Sequence, residues 1–312
     1  MARIVFMGTP DFAVASAQTL FEAGHEIVAV VTVPDKKAGR GNNLHESAMK
    51  VWAKEHKIPV HQPIDLSAES FIEQLKACQA DLFIVVAFRI LPRPVFTIPP
   101  RGTINLHGSL LPAYRGAAPI NWAIINGESV TGVTTFLIDA KVDTGEMLLQ
   151  EKIPIGENEN FGELYDRMKV IGARLLLTTV EKWMQKEIES ERQDGDVTKA
   201  PKITQETCEI IWYKSAKQIQ NLVRGLAPIP TAFTWYKQKR LKIYQCEVLD
   251  GRAEKAPGTI ITADAKNGVL AVATRAGLLH LTEVQLEGKK RLPVADFLRG
   301  NQIKPGERFG AA

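Results

Sequence analysis

Three cysteines in 312 residues, no apolar run of membrane-spanning length and no phosphate-binding glycine loop set the first constraints. Cys78, Cys208 and Cys246 are odd in number and far apart. They form neither a disulfide framework nor the short spacing of a metal site, so a reducing compartment is expected. Leu82 to Phe88 has the length of a buried strand, well short of a bilayer span. The chain runs straight into RIVFMGT without a leader pattern, and a soluble, cytoplasmic protein with no membrane contact is expected. The first turn, GTPDFA, is not GxGxxG and no Walker lysine follows, which argues against a dinucleotide or phosphate site. GSLLP, around Ser109, is not a GxSxG nucleophile elbow, and its proline blocks an immediately following helix. No His/Cys cluster offers a metal site, and no metal is expected.

What remains is ordinary for an enzyme with a real core: 45% hydrophobic and 24% charged residues. The length suits one large domain or two ordinary ones. Net charge is +4 but unevenly shared. Residues 206–312 hold 17 Lys and Arg against 10 Asp and Glu, whereas residues 1–205 hold 22 against 25. By charge alone, a polyanionic partner and simple solubility explain the basic C-terminal part equally well.

The first half alternates strand and helix signals. Arg3 to Met7 is an apolar run, and Asp11 can cap a helix reaching Ala23. Ile27 to Val33 is a β-branched run of the kind buried in parallel sheets. Pro34 to Asn43 reads as a basic loop. Helices are expected over Glu46–His56 and Ala68–Ala77, and strands near Val60 and over Leu82–Val86, Ile104–His107 and Val133–Ile138. A long helix follows over Phe161–Glu187. Such alternation predicts an α/β fold, a Rossmann-like, doubly wound, mostly parallel sheet. Glu189 to Lys199 is polar and aperiodic and reads as a linker. One helix, Ala216–Leu226, and five strand-like runs between Ala232 and Leu286 then predict a small OB-like β-barrel domain. The expected division is a catalytic domain over 1–189, a linker over 190–206 and the β-barrel over 207–312.

The most informative stretch is INLHGSLLPAYRGAAPI, followed by Asp143 in DAKVDTGE. Asn105 and His107 are two apart at a strand end, so both point to one face. Gly108, Ser109 and Pro112 end the strand there. Polar groups at the carboxyl end of a strand lie where open α/β sheets hold ligands. Amide, imidazole and carboxylate are the parts of an acyl-transfer site without a nucleophilic side chain of its own. Any one of them alone is more often a loop cap or turn residue.

Taken together, Asn-x-His, SLLP, RGAAP and DTG resemble the folate-dependent formyltransferases. FMGTPDFA, PDKKAGRG, LVRGLAPIPTAF and IKPGERF extend the likeness along the whole chain, in the pattern of the branch that acts on aminoacylated tRNA. The resemblance implies formyl transfer from 10-formyltetrahydrofolate to the α-amino group of initiator methionyl-tRNA. It makes Asn105, His107 and Asp143 catalytic. It gives folate the loop Ser109, Leu110, Leu111 and Pro112 and the strand end Arg89, Ile90 and Leu91; ordinary core is the plainer reading of Leu91, Leu110 and Leu111. It puts Phe12 beside the methionine side chain, although spacing alone fits a core-facing residue equally well. It makes Arg40 the arginine of a loop inserted at the tRNA acceptor end. Gly108, Ala113 and Phe88-Arg89 depart from the common pattern and bear on the folate pocket. A monomer is expected.

Two other readings compete. A formyltransferase acting on glycinamide ribonucleotide or a nucleotide sugar shares Asn105, His107 and Asp143 but needs no basic β-domain or arginine loop. A nucleic-acid-binding protein with an idle α/β domain needs none of the three.

Overall fold

The protein was analysed as a computed structural model that describes residues 1–38, 43–252 and 254–310. The chain divides into two compact units. One comprises Met1–Pro119, Thr131–Pro154 and Tyr165–Ala200; the other comprises Ile120–Val130, Ile155–Leu164 and the residues from Pro201 onward.

The first unit is built on strand β1 (Arg3–Gly8), helix α1 (Asp11–Glu22), strands β2 (Glu26–Val31), β3 (Lys36–Ala38) and β4 (Asn43–His45), helix α2 (Ala48–Glu55), strand β5 (Val60–His61), helix α3 (Glu69–Ala77), strand β6 (Leu82–Val86), helix α4 (Arg93–Phe96), strand β7 (Thr103–His107) and the short strand β8 (Arg115–Gly116). Helix α5 (Pro119–Ile125) follows, then strands β9 (Val130–Leu137) and β10 (Met147–Pro154), helix α6 (Phe161–Gln185) and the two-residue strand β11 (Lys199–Ala200). Seven strands make one sheet in the order β10-β9-β7-β6-β1-β2-β5. The β1–β2, β1–β6, β2–β5 and β6–β7 pairs are parallel, and β7–β9 is antiparallel. The central strands are buried on both faces, as their unbroken apolar runs require. Val5, Met7, Phe83 and Val85 pack on one side with Phe71 and Leu75 of α3.

Register sets where the chemistry sits. Gly8 lies opposite Val86 and Leu106 opposite Val86, so β1, β6 and β7 end together. The turns GTPD, Ala87–Arg89 and Gly108–Ser109 therefore share one carboxyl rim, beside the point where strand order reverses.

Several local expectations need correction. Asp11 does not cap α1; Pro10 occupies the cap position without a side-chain bond. The Asp11 carboxylate instead accepts hydrogen bonds from Tyr165 Oη at 2.7 Å and Lys169 Nζ at 3.0 Å. The basic loop after β2 contains the antiparallel β3–β4 hairpin. Strand β10 and helix α5 escaped the sequence reading, because MLLQEKIP breaks its alternation with charge and α5 is only seven residues long.

The second unit contains α5, helices α7 (Gln205–Cys208) and α8 (Ala216–Leu226), strands β12 (Ala232–Tyr236), β13 (Lys239–Leu249), β14 (Ile260–Asp264), β15 (Val269–Ala273), β16 (Leu278–Leu286) and β17 (Leu292–Pro293), and helix α9 (Val294–Gly300). Its antiparallel sheet runs β12-β13-β16-β15-β14, with β17 on β16. Ser215 and Gln218 form a capping box that starts α8. Leu222, Val223 and Leu226 of α8 join Leu241, Ile243, Leu279 and Leu281 in one core. Asn121 Nδ2 donates to Gly225 O at 2.8 Å, and a Cβ on Gly225 would lie 2.6 Å from Ile125, so only glycine lets α5 approach α8 this closely. Among the described residues, no helix is long and apolar enough to cross a membrane, and no group of three His, Cys, Asp or Glu could hold a metal ion.

Candidate active site

Asn105 and His107 leave β7 on the same face, and His107 sits opposite Thr134 of β9. The imidazole is buried, with Nε2 at 2.9 Å from the Tyr114 carbonyl. A carbonyl only accepts, so Nε2 carries the proton and Nδ1 is the free nitrogen of the neutral ring. Nδ1 faces Asp143 Oδ2 at 3.9 Å. The same oxygen accepts the Gly116 backbone N–H at 2.8 Å. The Asn105 amide makes no hydrogen bond to the described residues and so stays available beside the imidazole.

The turn bearing Asp143 is tightly built. Asp143 itself adopts φ 55°, a left-handed conformation that non-glycine residues reach at a cost. Thr144 Oγ1 donates to Asp139 Oδ1 at 2.7 Å, and Lys141 N donates to the same carboxylate at 3.0 Å. A Cβ on Gly145 would lie 1.6 Å from Leu137 O, so the DTG glycine is obligatory. The RG glycine is obligatory as well: Gly116 has φ 127°, and its Cβ would lie 2.6 Å from Ala200 O. An open cavity of about 550 Å³ adjoins this turn, lined by Arg115, Ile138, Asp139, Thr144, Gly145 and Gln193 among others.

The loop after β7 is held from β9 and β10. Thr134 Oγ1 donates to Ser109 O at 2.6 Å and accepts from Leu111 N at 3.2 Å. Gln150 Nε2 donates to Leu111 O at 2.8 Å. Ser109 is buried and donates to Ala113 O at 2.6 Å, so its hydroxyl is structural. Leu111 and Pro112 are buried, while Leu110 is half-buried over Gly132. At the neighbouring strand end, Leu91 belongs to the core. Arg89 donates through its two Nη atoms to Pro63 O at 2.6 Å and Ile64 O at 3.0 Å, while its buried Nε has no partner among the described residues. Ile90 is 76% exposed and is the apolar side chain this rim offers to a flat ring.

Phe12 is buried with its ring edge-on to Tyr165, centroids 5.3 Å apart. Beneath it, burial and then the bond to Asp11 push the Tyr165 hydroxyl well above the ordinary tyrosine range. Burial would raise Asp11 too, but hydrogen bonds from Tyr165 and Lys169 outweigh it and hold the carboxyl below its usual value. Arg40 lies outside the described residues.

Sequence reasoning missed the segment after α6. Glu191 bridges to Met147. Thr198 Oγ1 accepts from Tyr114 N at 2.8 Å, and Ala200 O accepts from Ala117 N at 2.8 Å. Gln193 reaches both Arg115 and the Asp143 turn. The run ESERQDGDVTK carries no periodicity, because its contacts are made by single side chains and backbone groups.

Residues 2–180 match the formyl transferase family, and residues 202–302 match the formyl transferase C-terminal domain. The methionyl-tRNA formyltransferase of Porphyromonas gingivalis (strain ATCC BAA-308 / W83) is 48% identical over 310 residues, covering 96% of this chain and 95% of its own. That of Citrifermentans bemidjiense is 45% identical over 310 residues, covering 99% and 96%. Among solved structures, an N-formyltransferase from Helicobacter canadensis matches with a TM-score of 0.68 at 19% identity, over 90% of this chain and 99% of its own. That last likeness concerns the fold.

Proposed function

The chain belongs to the formyl transferase family, and within it to the methionyl-tRNA formyltransferases, and from that premise we infer how its residues carry the reaction. The protein formylates initiator methionyl-tRNA, with 10-formyltetrahydrofolate as the donor. The neutral α-amine attacks the formyl carbon and forms the new C–N bond. Oxygen takes up the charge, and the bond to folate N10 then breaks as that nitrogen receives a proton.

The observation that carries this reading is His107 Nδ1 facing Asp143 Oδ2 at 3.9 Å, with Asn105 two residues before His107 on β7. The Asn105 amide and, once protonated, His107 Nδ1–H are donors for the oxyanion. Losing one such donor costs about 10²–10³ in rate. Tyr114 O fixes the ring orientation through Nε2. Gly116 N–H fixes one oxygen of Asp143, leaving the other to order a water that carries the proton from the attacking amine to N10.

Folate would be read by backbone groups of Phe88–Arg89 and of the Ser109–Pro112 loop, with Ile90 against its ring. The Nη atoms of Arg89 are held by Pro63 O and Ile64 O, so they would fix the strand end whose backbone meets folate. Arg40 would engage the tRNA acceptor end, Phe12 would back the methionine site through Tyr165, and the basic residues 207–312 would attract the tRNA backbone. The alternative acceptors lack a use for that basic part. Formyl transfer to charged initiator tRNA should exceed transfer to free methionine, glycinamide ribonucleotide or an amino nucleotide sugar by orders of magnitude at equal concentration. Comparable rates with a small acceptor would replace this reading.

A further inference from the structure

We propose that Gln193, oriented by Arg115, is a positioning residue that holds the Asp143 turn in its working conformation; this rests on the catalytic reading of Asp143 above. Gln193 Nε2 donates to Asp143 O at 3.0 Å and to Gly145 O at 2.8 Å. Its Oε1 accepts from Arg115 Nε at 3.1 Å and Nη2 at 2.6 Å. Two donors and two acceptor sites are all a side-chain amide has, so this one is saturated. A guanidinium only donates. Arg115 therefore forces the oxygen of Gln193 toward itself and the NH₂ toward the turn, and the amide cannot flip.

The turn needs such a clamp. Asp143 sits at φ 55°, a conformation that persists only when its surroundings over-determine it. Gln193 grips the carbonyls on both sides of Thr144, so it fixes the backbone from which the carboxylate projects. Gly116 N–H, one residue from Arg115, fixes the carboxylate itself. Arg115 and Gly116 are adjacent in β8, which pairs with β11. One short strand thus holds the Asp143 side chain directly and its main chain through Gln193. A clamp on a catalytic backbone differs from a stitch that merely fastens residues 190–200. A displacement of about 1 Å at a reacting group costs on the order of 10²-fold, with little effect on binding.

The test uses the full chain, with charged initiator tRNA and formyl-folate under single-turnover and steady-state conditions. Gln193→Ala should lower kcat by about 10- to 100-fold with both KM values within about threefold. Gln193→Glu keeps a partner for Arg115 but cannot donate to either carbonyl, so it should lose as much, and it carries the test if the alanine variant fails to fold. Gln193→Ala combined with Asp143→Asn should be no slower than Asp143→Asn alone, because groups acting as a unit are not additive. Wild-type kcat in both Gln193 variants, with Asp143→Asn crippled, overturns the proposal and leaves the function intact. A double variant slower by the full Gln193 factor also overturns it, since Gln193 then acts independently of Asp143. Near wild-type turnover in Asp143→Asn removes the catalytic reading of Asp143 and the clamp with it.

Discussion

The polar side chains around Asp143 in the first unit and a set of cations on the sheet of the second are held in different ways. In the first, His107, Ser109, Asp143 and Gln193 each bond to backbone groups of their own unit. In the second, Arg240 lies over the Phe233 and Trp235 rings at 4.4 and 5.5 Å, Lys237 over Tyr236 at 4.8 Å and Arg291 over Tyr244 at 4.1 Å. Lys237 and Arg291 also pair with Glu307 and Glu283, whereas Arg240 lies over its two rings without an ion pair among the described residues. The difference fits the tasks proposed for them. An oxyanion donor must stand within a fraction of an ångström of its mark, and backbone hydrogen bonds supply that accuracy. Attraction to a polyanion acts over about a Debye length and needs only charge that stays exposed.

The largest effect should come from the inward set. Asn105→Ala and Asp143→Ala should each lower kcat by about 10²–10³ with the melting temperature nearly unchanged. If both turn over near the wild-type rate, the inward residues have no catalytic role and the contrast between the units collapses.

The obligatory glycines should fail through the fold. Gly145→Ala places a Cβ against Leu137 O, and Gly116→Ala against Ala200 O. Each should cost about 1–3 kcal/mol of stability as the backbone shifts to relieve the contact, read as a lowered midpoint in urea. Activity at a temperature where the variants remain folded should fall as well, because both glycines bear on the Asp143 turn. Full stability in either variant would show that the turn can yield.

The outward set should behave differently again. Arg240→Gln should weaken tRNA binding a few-fold, lower the salt slope by about 0.7–0.9 if it meets one phosphate, and spare kcat at saturating tRNA. A kcat loss without a change in salt slope would place Arg240 with the catalytic set.

The smallest effect concerns pH. The Tyr165 hydroxyl is raised by burial and by Asp11. The folded state thus holds a proton that the unfolded state loses near the ordinary tyrosine value of about 10. Its contribution to stability is fully present below that pH and declines as pH rises above it. Tyr165→Phe should flatten this alkaline decline in thermal unfolding measurements; an unchanged profile would assign the decline elsewhere.

Much of the first unit was legible because its signals are periodic or local. Leu82–Val86 reads as a buried strand by composition, Asn105 and His107 share a face by strand geometry, and DTG announces a turn. Gln193, Thr134 and Gln150 were not legible for a common reason: each bonds to backbone carbonyls or amides distant in sequence, and such partners leave no trace in residue type. Asp11 misled because the pattern of a cap was present while its carboxylate had better donors in Tyr165 and Lys169. The split of residues 120–130 and 155–164 into the second unit was equally hidden, since tertiary grouping of short segments has no local signature.

The pairing of Lys199–Ala200 with Arg115–Gly116 has a practical consequence for recombining these modules. A chimera that keeps the first unit and grafts on a different second unit invites a splice at the end of the long helix, near residue 189. That splice discards the segment carrying Gln193, Thr198 and Ala200, and with it the backing of the turn that bears Asp143. A junction placed after Ala200 retains that backing, so the crossover point, rather than the choice of donor module, should decide whether such a hybrid turns over.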